Sequence, residues 1–167
     1  RTLVEYASAE QKARWLPDLL SGRTVISLGM SEAEAGSAVT DLRTSATPEG
    51  DGFLINGAKL WGTQSVEASI YLIYLRFGPG LNGIGSVIVE RDTPGFTLGP
   101  VQTLMSGEEW QEMRFDDCYI PAENVLLGEG GFKKQISGFN VERMGNASRS
   151  LGAGQLAFPG SVKPVPV

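Results

Sequence analysis

Seven short runs with a two-residue hydrophobic period succeed one another between Arg23 and Tyr119, and no helical pattern separates them. They cover Arg23 to Met30, Leu42 to Ala46, Phe53 to Trp61, Ile70 to Phe77, Gly85 to Glu90, Phe96 to Val101, and Met113 to Tyr119. Thr47-Pro48-Glu49-Gly50-Asp51-Gly52, Gly78-Pro79-Gly80-Leu81-Asn82-Gly83 and Asp92-Thr93-Pro94-Gly95 stand between runs, and each carries the Gly and Pro that set tight turns. Strands this close together leave no room for crossover helices. The expectation is therefore mainly β, an antiparallel barrel or sandwich, and not a parallel dinucleotide-binding sheet. No Gly-x-Gly-x-x-Gly opens a helix after a strand, in keeping with that choice.

Helical periods appear only at the two ends. Residues 1–20 read as helix, with Ser8-Ala9-Glu10-Gln11 as a capping-box start and Pro17 as a point of bending or restart. Beyond Gly128-Glu129-Gly130-Gly131, a long helix is expected in which Phe132, Ile136, Phe139, Met144, Ala147 and Leu151 form an apolar stripe. Gly138, Gly145 and Gly152 recur on another side of it at seven-residue intervals. Residues 159–167 alternate Pro with Val and Lys and read as an extended tail.

Charge and composition exclude several functions. With 14 basic against 19 acidic residues the chain carries −5, which argues against general nucleic-acid binding and against a polybasic membrane anchor. It has no His, so neither a Ser-His-Asp triad nor a His-ligated zinc can be built from it, and the single Cys118 permits no internal disulfide. No metal site is expected. No run of eighteen apolar residues occurs, so no membrane span is expected, and a reducing, cytoplasmic setting fits the lone thiol.

Two stretches carry candidate chemistry. Leu28-Gly29-Met30-Ser31-Glu32 runs into the small-residue loop Ala33-Glu34-Ala35-Gly36-Ser37, where Gly36 allows a ligand to approach backbone and Ser31 and Ser37 offer hydroxyls. Further on, Asn56-Gly57 is a turn signal leading into a strand that ends at Trp61-Gly62-Thr63. Strand alternation would put the Trp61 indole and the Thr63 hydroxyl on one face, a flat apolar plate beside a donor that suits a planar heteroaromatic ligand. On the residues alone, a Gly-Ser loop is more often only a turn, and a Trp after a strand is more often core.

The segment Leu28 to Ala38 resembles the acyl-CoA dehydrogenase signature in which Thr-Glu is followed by a small loop and Gly-Ser-Asp. Asn56-Gly57-Ala58-Lys59-Leu60-Trp61-Gly62-Thr63 resembles its companion, Asn-Gly-x-Lys-x-Trp-Ile-Thr. Thr93-Pro94-Gly95-Phe96 and Phe115 to Leu126 are also similar to that family's middle domain, and the resemblance covers residues 8–158. In two places the chain departs from the pattern. Ala38 stands where the acid follows Gly-Ser, and Met105-Ser106-Gly107-Glu108-Glu109-Trp110 replaces Met-Gly-x-Arg-x-Ser. That acidic, Trp-bearing stretch reads as a solvated connection.

The resemblance implies a division of the chain. Residues 1–22 would be a remnant of the N-terminal helical domain, 23–129 the middle β domain, 130–158 the first helix of the C-terminal bundle, and 159–167 the tail. It implies FAD as cofactor, with Leu28, Met30 and Ser31 at the pyrimidine side of the isoalloxazine, Gly36 and Ser37 toward the pyrophosphate and pantetheine, Trp61 on the ring face, and Thr63 at N5. Ser37, Phe139, Asn140 and Arg143 are the implied substrate contacts, the Arg serving phosphate or adenine. The implied reaction takes an acyl-CoA thioester to the 2,3-enoyl-CoA by α-proton abstraction and β-hydride transfer to flavin. The implied partners are acyl-CoA, an electron-acceptor flavoprotein and further copies of the chain in a homo-oligomer. In most of the family the base is a Glu far into the C-terminal helices, so the chain is expected to be a fragment in which no residue is the catalytic base. Two alternatives stand beside this reading. One is a non-catalytic flavin/CoA-binding or assembly module; the other is a flavin oxidase or monooxygenase of the same superfamily.

Overall fold

The computed structural model describes residues 2–158; the expected tail at 159–167 lies outside the described residues. The chain divides into two units, residues up to Phe132 and residues from Lys133 onward. The first begins with α1 (Thr2–Tyr6) and α2 (Ala9–Leu20). The expected single helix breaks at Ala7–Ser8 because Ser8 is the N-cap of α2. Its hydroxyl accepts from the Gln11 N–H at 3.1 Å, and the Gln11 side chain accepts from the Ser8 N–H at 2.9 Å. Pro17 neither ends nor restarts α2, which runs through to Leu20.

Ten strands follow: β1 (Ile26–Gly29), β2 (Ser45–Glu49), β3 (Gly52–Lys59), β4 (Ile70–Arg76), β5 (Ile84–Glu90), β6 (Phe96–Leu98), β7 (Gln102–Thr103), β8 (Glu109–Trp110), β9 (Met113–Pro121) and β10 (Val125–Leu127). Eight make one sheet in the order β10-β5-β4-β2-β3-β9-β6, with β1 added on β4; β7 and β8 form a separate hairpin. Pairing is mainly antiparallel, as expected. The exceptions are β1 along β4, from Ile26↔Ile70 to Gly29↔Ile73, and β2 touching β4 only at Ser45↔Arg76. One edge of β4 is thus shared between two strands.

The sheet is open at β10 and β6, yet it curls. β4 and β6 are four strand steps apart in the sheet order, which would be about 19 Å if flat. The Tyr71 and Phe96 rings, one from each, nevertheless meet edge-on at 4.8 Å. Ala46, Ile55, Tyr71, Val87, Phe115 and Ile120, from five different strands, therefore belong to one core cluster. This is the barrel-like arrangement that the strand spacing predicts. In β9, Met113, Phe115, Cys118 and Ile120 are buried and the residues between them exposed, whereas β4 and β5 are buried on both faces over six of their seven positions.

Three boundaries differ from expectation for identifiable reasons. Leu42 to Thr44 is not strand, since the N–H groups of Arg43 and Thr44 go to the Glu32 carboxylate and not into a ladder. The strand starts at Ser45 instead and absorbs Pro48, which is tolerated because, among the described residues, β2 pairs on its far side only at Ser45. Asn56-Gly57 is not a turn but a bulge within β3. The register on β9 slips between Ile55 and Gly57, Gly57 takes φ +140°, and a Cβ there would press on Thr44 Cα at 2.7 Å. Asn56 and Asp117 bracket the bulge with two reciprocal 2.9 Å hydrogen bonds.

The described part of the second unit is α3 (Phe132–Ala157) from Lys133 onward. Its apolar residues do not keep to the expected stripe: Met144 and Leu151 are exposed, and so are Val141 and Leu156 elsewhere on its circumference. Among the described residues no helix is long and apolar enough to cross a membrane.

Candidate functional site

The two stretches singled out in the sequence lie side by side. The Leu60 N–H donates to the Ser31 carbonyl at 2.9 Å, the Ser27 hydroxyl donates to the Thr63 carbonyl at 2.8 Å, and Lys59 Nζ donates to the Met30 carbonyl at 3.2 Å. Ser27 to Ser31 is thereby laced to Lys59 to Thr63 at Ser27, Met30 and Ser31. Gly62 makes the close approach possible, because a Cβ there would run into Met113 Cε and lie 3.2 Å from Ser27 Oγ.

Lys59 anchors the lacing. Its side chain is fully buried and also pairs with Glu32 Oε1 at 2.7 Å. Burial pushes the ammonium down to about 8, against the pull of the Glu32 carboxylate. On Glu32, burial works to raise the pKa, but hydrogen bonds from Lys59, Thr44 and the Arg43 backbone overcome it and hold the carboxyl below its ordinary value. Glu32 thus gathers three donors: Lys59, the Arg43 N–H at 2.6 Å and the Thr44 N–H at 2.9 Å. The far end of the 33–43 loop is held by Arg76, whose guanidinium donates to the carbonyls of Thr40, Leu42 and Gly80. Between these anchors, Gly36 and Ser37 sit exposed at the loop apex, next to a tight turn closed by reciprocal Glu32–Ala35 backbone bonds.

Trp61 lies beyond the end of β3, not within it, so strand alternation does not aim it. It takes φ +61°, which costs a bulky residue about 1–3 kcal/mol and redirects the chain. The consequence matches the expectation by another route. Trp61 and Thr63 line one groove together with Leu104, Glu108 and Trp110, and Trp61 keeps 57% of its surface exposed. The Trp61 and Trp110 rings meet at 4.3 Å between centroids, tilted by 37°. Sequence reasoning missed Trp110. The stretch read as a solvated connection is the β7–β8 hairpin, and its two-residue strands are too short to leave a period.

An exposed indole beside a threonine, set on a turn by a buried ion pair, fits a planar heteroaromatic ring such as an isoalloxazine. Leu28, Met30 and Ser31 are half-buried next to that turn, whereas Gly36 and Ser37 are exposed. Phe139, Asn140 and Arg143 belong to α3, where Arg143 Nη1 donates to Asn140 Oδ1 at 2.9 Å. Among the described residues no cluster of His, Cys, Asp or Glu could hold a metal ion.

The acyl-CoA dehydrogenase middle-domain model matches residues 27–118, the stretch that contains both laced segments. An acyl-CoA dehydrogenase of Bacillus subtilis is 33% identical over 165 residues, covering 96% of this chain and 44% of its own. The mitochondrial isovaleryl-CoA dehydrogenase of Oryza sativa subsp. japonica is 37% identical over 155 residues, covering 90% of this chain and 38% of its own. A probable acyl-CoA dehydrogenase from Mycobacterium abscessus superposes with a TM-score of 0.82 at 32% identity, over 86% of this chain and 39% of its own. The chain thus spans about two fifths of the length of these relatives. The β domain, its two laced segments and these matches identify the chain as a member of the acyl-CoA dehydrogenase family, carrying that family's middle domain.

Proposed function

We propose that this chain supplies the flavin-facing part of an acyl-CoA dehydrogenase that oxidises an acyl-CoA thioester to its 2,3-enoyl-CoA. The observation that supports this most is the lacing of Ser27–Ser31 to Lys59–Thr63 beside a groove that holds an exposed indole and a hydroxyl. When bound, FAD supplies the hydride acceptor. In this reading Trp61 offers its ring to the isoalloxazine and Thr63 donates toward N5. Leu28, Met30 and Ser31 orient the pyrimidine side through their backbone, and Lys59 fixes the direction in which the Met30 peptide points. Gly36 and Ser37 receive the pyrophosphate and pantetheine. Phe139, Asn140 and Arg143 meet the CoA portion of the substrate, the guanidinium opposite phosphate. We assign the catalytic base to none of the carboxylates of this chain. The β domain is residues 23–129, flanked by helical segments at 1–22 and 130–158, and the working enzyme is a cytoplasmic homo-oligomer that passes electrons to a flavoprotein acceptor.

The test is anaerobic addition of acyl-CoA thioesters to the FAD-loaded protein, starting with short and branched chains because several relatives are named for them. This chain alone is expected to leave the flavin oxidised, because it carries no base; bleaching is expected once the helices that carry the base are present in the same FAD-loaded assembly. No bleaching with any thioester by that complete, FAD-holding assembly would point to a binding or assembly module. Hydrogen peroxide produced in preference to reduction of an artificial acceptor would point to an oxidase.

A further inference from the structure

We propose that Trp110 is a positioning residue, whose ring holds the Trp61 indole as a fixed platform for a planar heteroaromatic ligand. This rests on the flavin reading given above. An indole that is 57% exposed on a turn has limited packing to settle its rotamer, and a plate free to swing binds weakly because ordering it opposes binding. Trp110 removes that freedom by contact at 4.3 Å.

The support is fastened to what it supports. Trp110 pairs with Gln102 across the hairpin, and its neighbour Gln111 is held at both ends. The Gln111 N–H donates to the fully buried Ser65 hydroxyl at 2.7 Å, and its side-chain amide donates to the Gly99 carbonyl at 2.7 Å. Ser65 closes the turn that carries Trp61, donating its N–H to the Gly62 carbonyl at 3.1 Å. The chain, the Ser65 hydroxyl and the ring contact therefore make a closed circuit from Trp61 through Gly62, Ser65, Gln111 and Trp110 back to Trp61. A lid would be tethered only at its own ends; this ring is tied to the platform's own turn. Trp110 lies in Met105–Trp110, the stretch where the sequence departs from the family pattern.

Two indoles in contact couple their electronic transitions, so the pair carries a spectroscopic signature independent of any ligand. Far-ultraviolet circular dichroism should show an exciton couplet in the wild-type chain that disappears in Trp61→Leu and in Trp110→Leu, while thermal unfolding confirms that both variants fold. Equilibrium binding of FAD should weaken about five- to tenfold in Trp110→Leu and be largely restored in Trp110→Phe. A Trp61→Leu/Trp110→Leu double variant should bind no more weakly than Trp61→Leu alone. Wild-type FAD affinity in a folded Trp110→Leu, with Trp61→Leu weakened, would overturn the positioning role and leave the flavin reading standing. Wild-type affinity in Trp61→Leu, or no saturable FAD binding while the couplet is present, would overturn the flavin reading and the platform with it. A wild-type chain without a couplet would overturn the pairing itself. If Trp110→Leu fails to fold, Trp110→Phe carries the comparison: its couplet must vanish while most FAD affinity remains, and loss of affinity equal to that of Trp61→Leu would overturn the role.

Discussion

Lys59 shows how much of a site can hang on one side chain. It is fully buried and would keep only the Met30 carbonyl if Glu32 were removed, whereas Glu32 without Lys59 would keep two backbone N–H donors. The two halves of the pair are therefore not equivalent. Glu32→Ala is expected to destabilise the chain by about 3–5 kcal/mol and Lys59→Met by less, as read from denaturant midpoints, because an uncompensated buried charge is the costlier remnant. The pH dependence has a definite sign. A lysine held at about 8 when folded and at its ordinary 10.5 when unfolded binds its proton more weakly in the native state, so the cost of burying its charge is relieved as pH rises through that window. The stability of wild type relative to Lys59→Met should rise by about 1–2 kcal/mol between about pH 7.5 and 9.5; a flat or falling difference would contradict the burial. The placement of Trp61 and Thr63 on one groove was legible in the sequence, but for a reason that does not hold, since a positive φ aims the indole where strand alternation was expected to. The Glu32–Lys59 pair was invisible, because a lysine within a strand-like run reads as a solvated residue until a fold brings a carboxylate to it.

Among elements, α2 was read with most success because its start is purely local. Ser8 and Gln11 are three positions apart and need nothing else to form the cap. What the sequence did not give is that Gln11 also spans to the β domain, its amide donating to the carbonyls of Glu123 and Val125 at 2.8 and 2.9 Å. Ser8→Ala should cost about 1 kcal/mol. Gln11→Ala should cost more, about 2–3 kcal/mol, since it also leaves two carbonyls without this donor; equal losses by thermal unfolding would show that those long-range bonds carry nothing. The strands that were legible are those buried on alternating or both faces, such as β4, β5 and β9. β2 shifted by three residues because a side chain, Glu32, competes for its first N–H groups, and β7, β8 and β10 were missed because two or three residues cannot display a period. The bulge at Gly57 gives a further check. Gly57→Ala forces a Cβ onto the Thr44 backbone at an unfavourable φ and should destabilise by about 2 kcal/mol or more, against about zero for a Gly→Ala change at an unstrained site.

For the whole molecule, the mainly antiparallel β domain and a long final helix were legible because period and turn residues are distributed along the entire chain. A barrel or sandwich was legible as well, but not which strands its curl brings together, since that depends on ring contacts between strands far apart in sheet order. α3 raises a question of assembly. Gly138, Gly145 and Gly152 have open space beside them, and each costs about 1 kcal/mol relative to Ala in a helix. If a second copy uses that side, sedimentation should show association that strengthens with concentration and that Gly145→Leu weakens. A monomer whose helix is fully protected from hydrogen exchange would contradict this. FAD should bind the isolated chain too weakly to survive gel filtration, because this chain spans only part of its relatives' length. The flavin-facing role of the two laced segments is tested by equilibrium titration with FAD, followed residue by residue in the amide NMR spectrum. Saturable shifts are expected, concentrated at Leu28–Ser31 and Trp61–Thr63, with the Trp61 indole N–H among the most affected. Shifts confined to other surfaces, or a spectrum that FAD leaves unchanged at millimolar concentration, would contradict it.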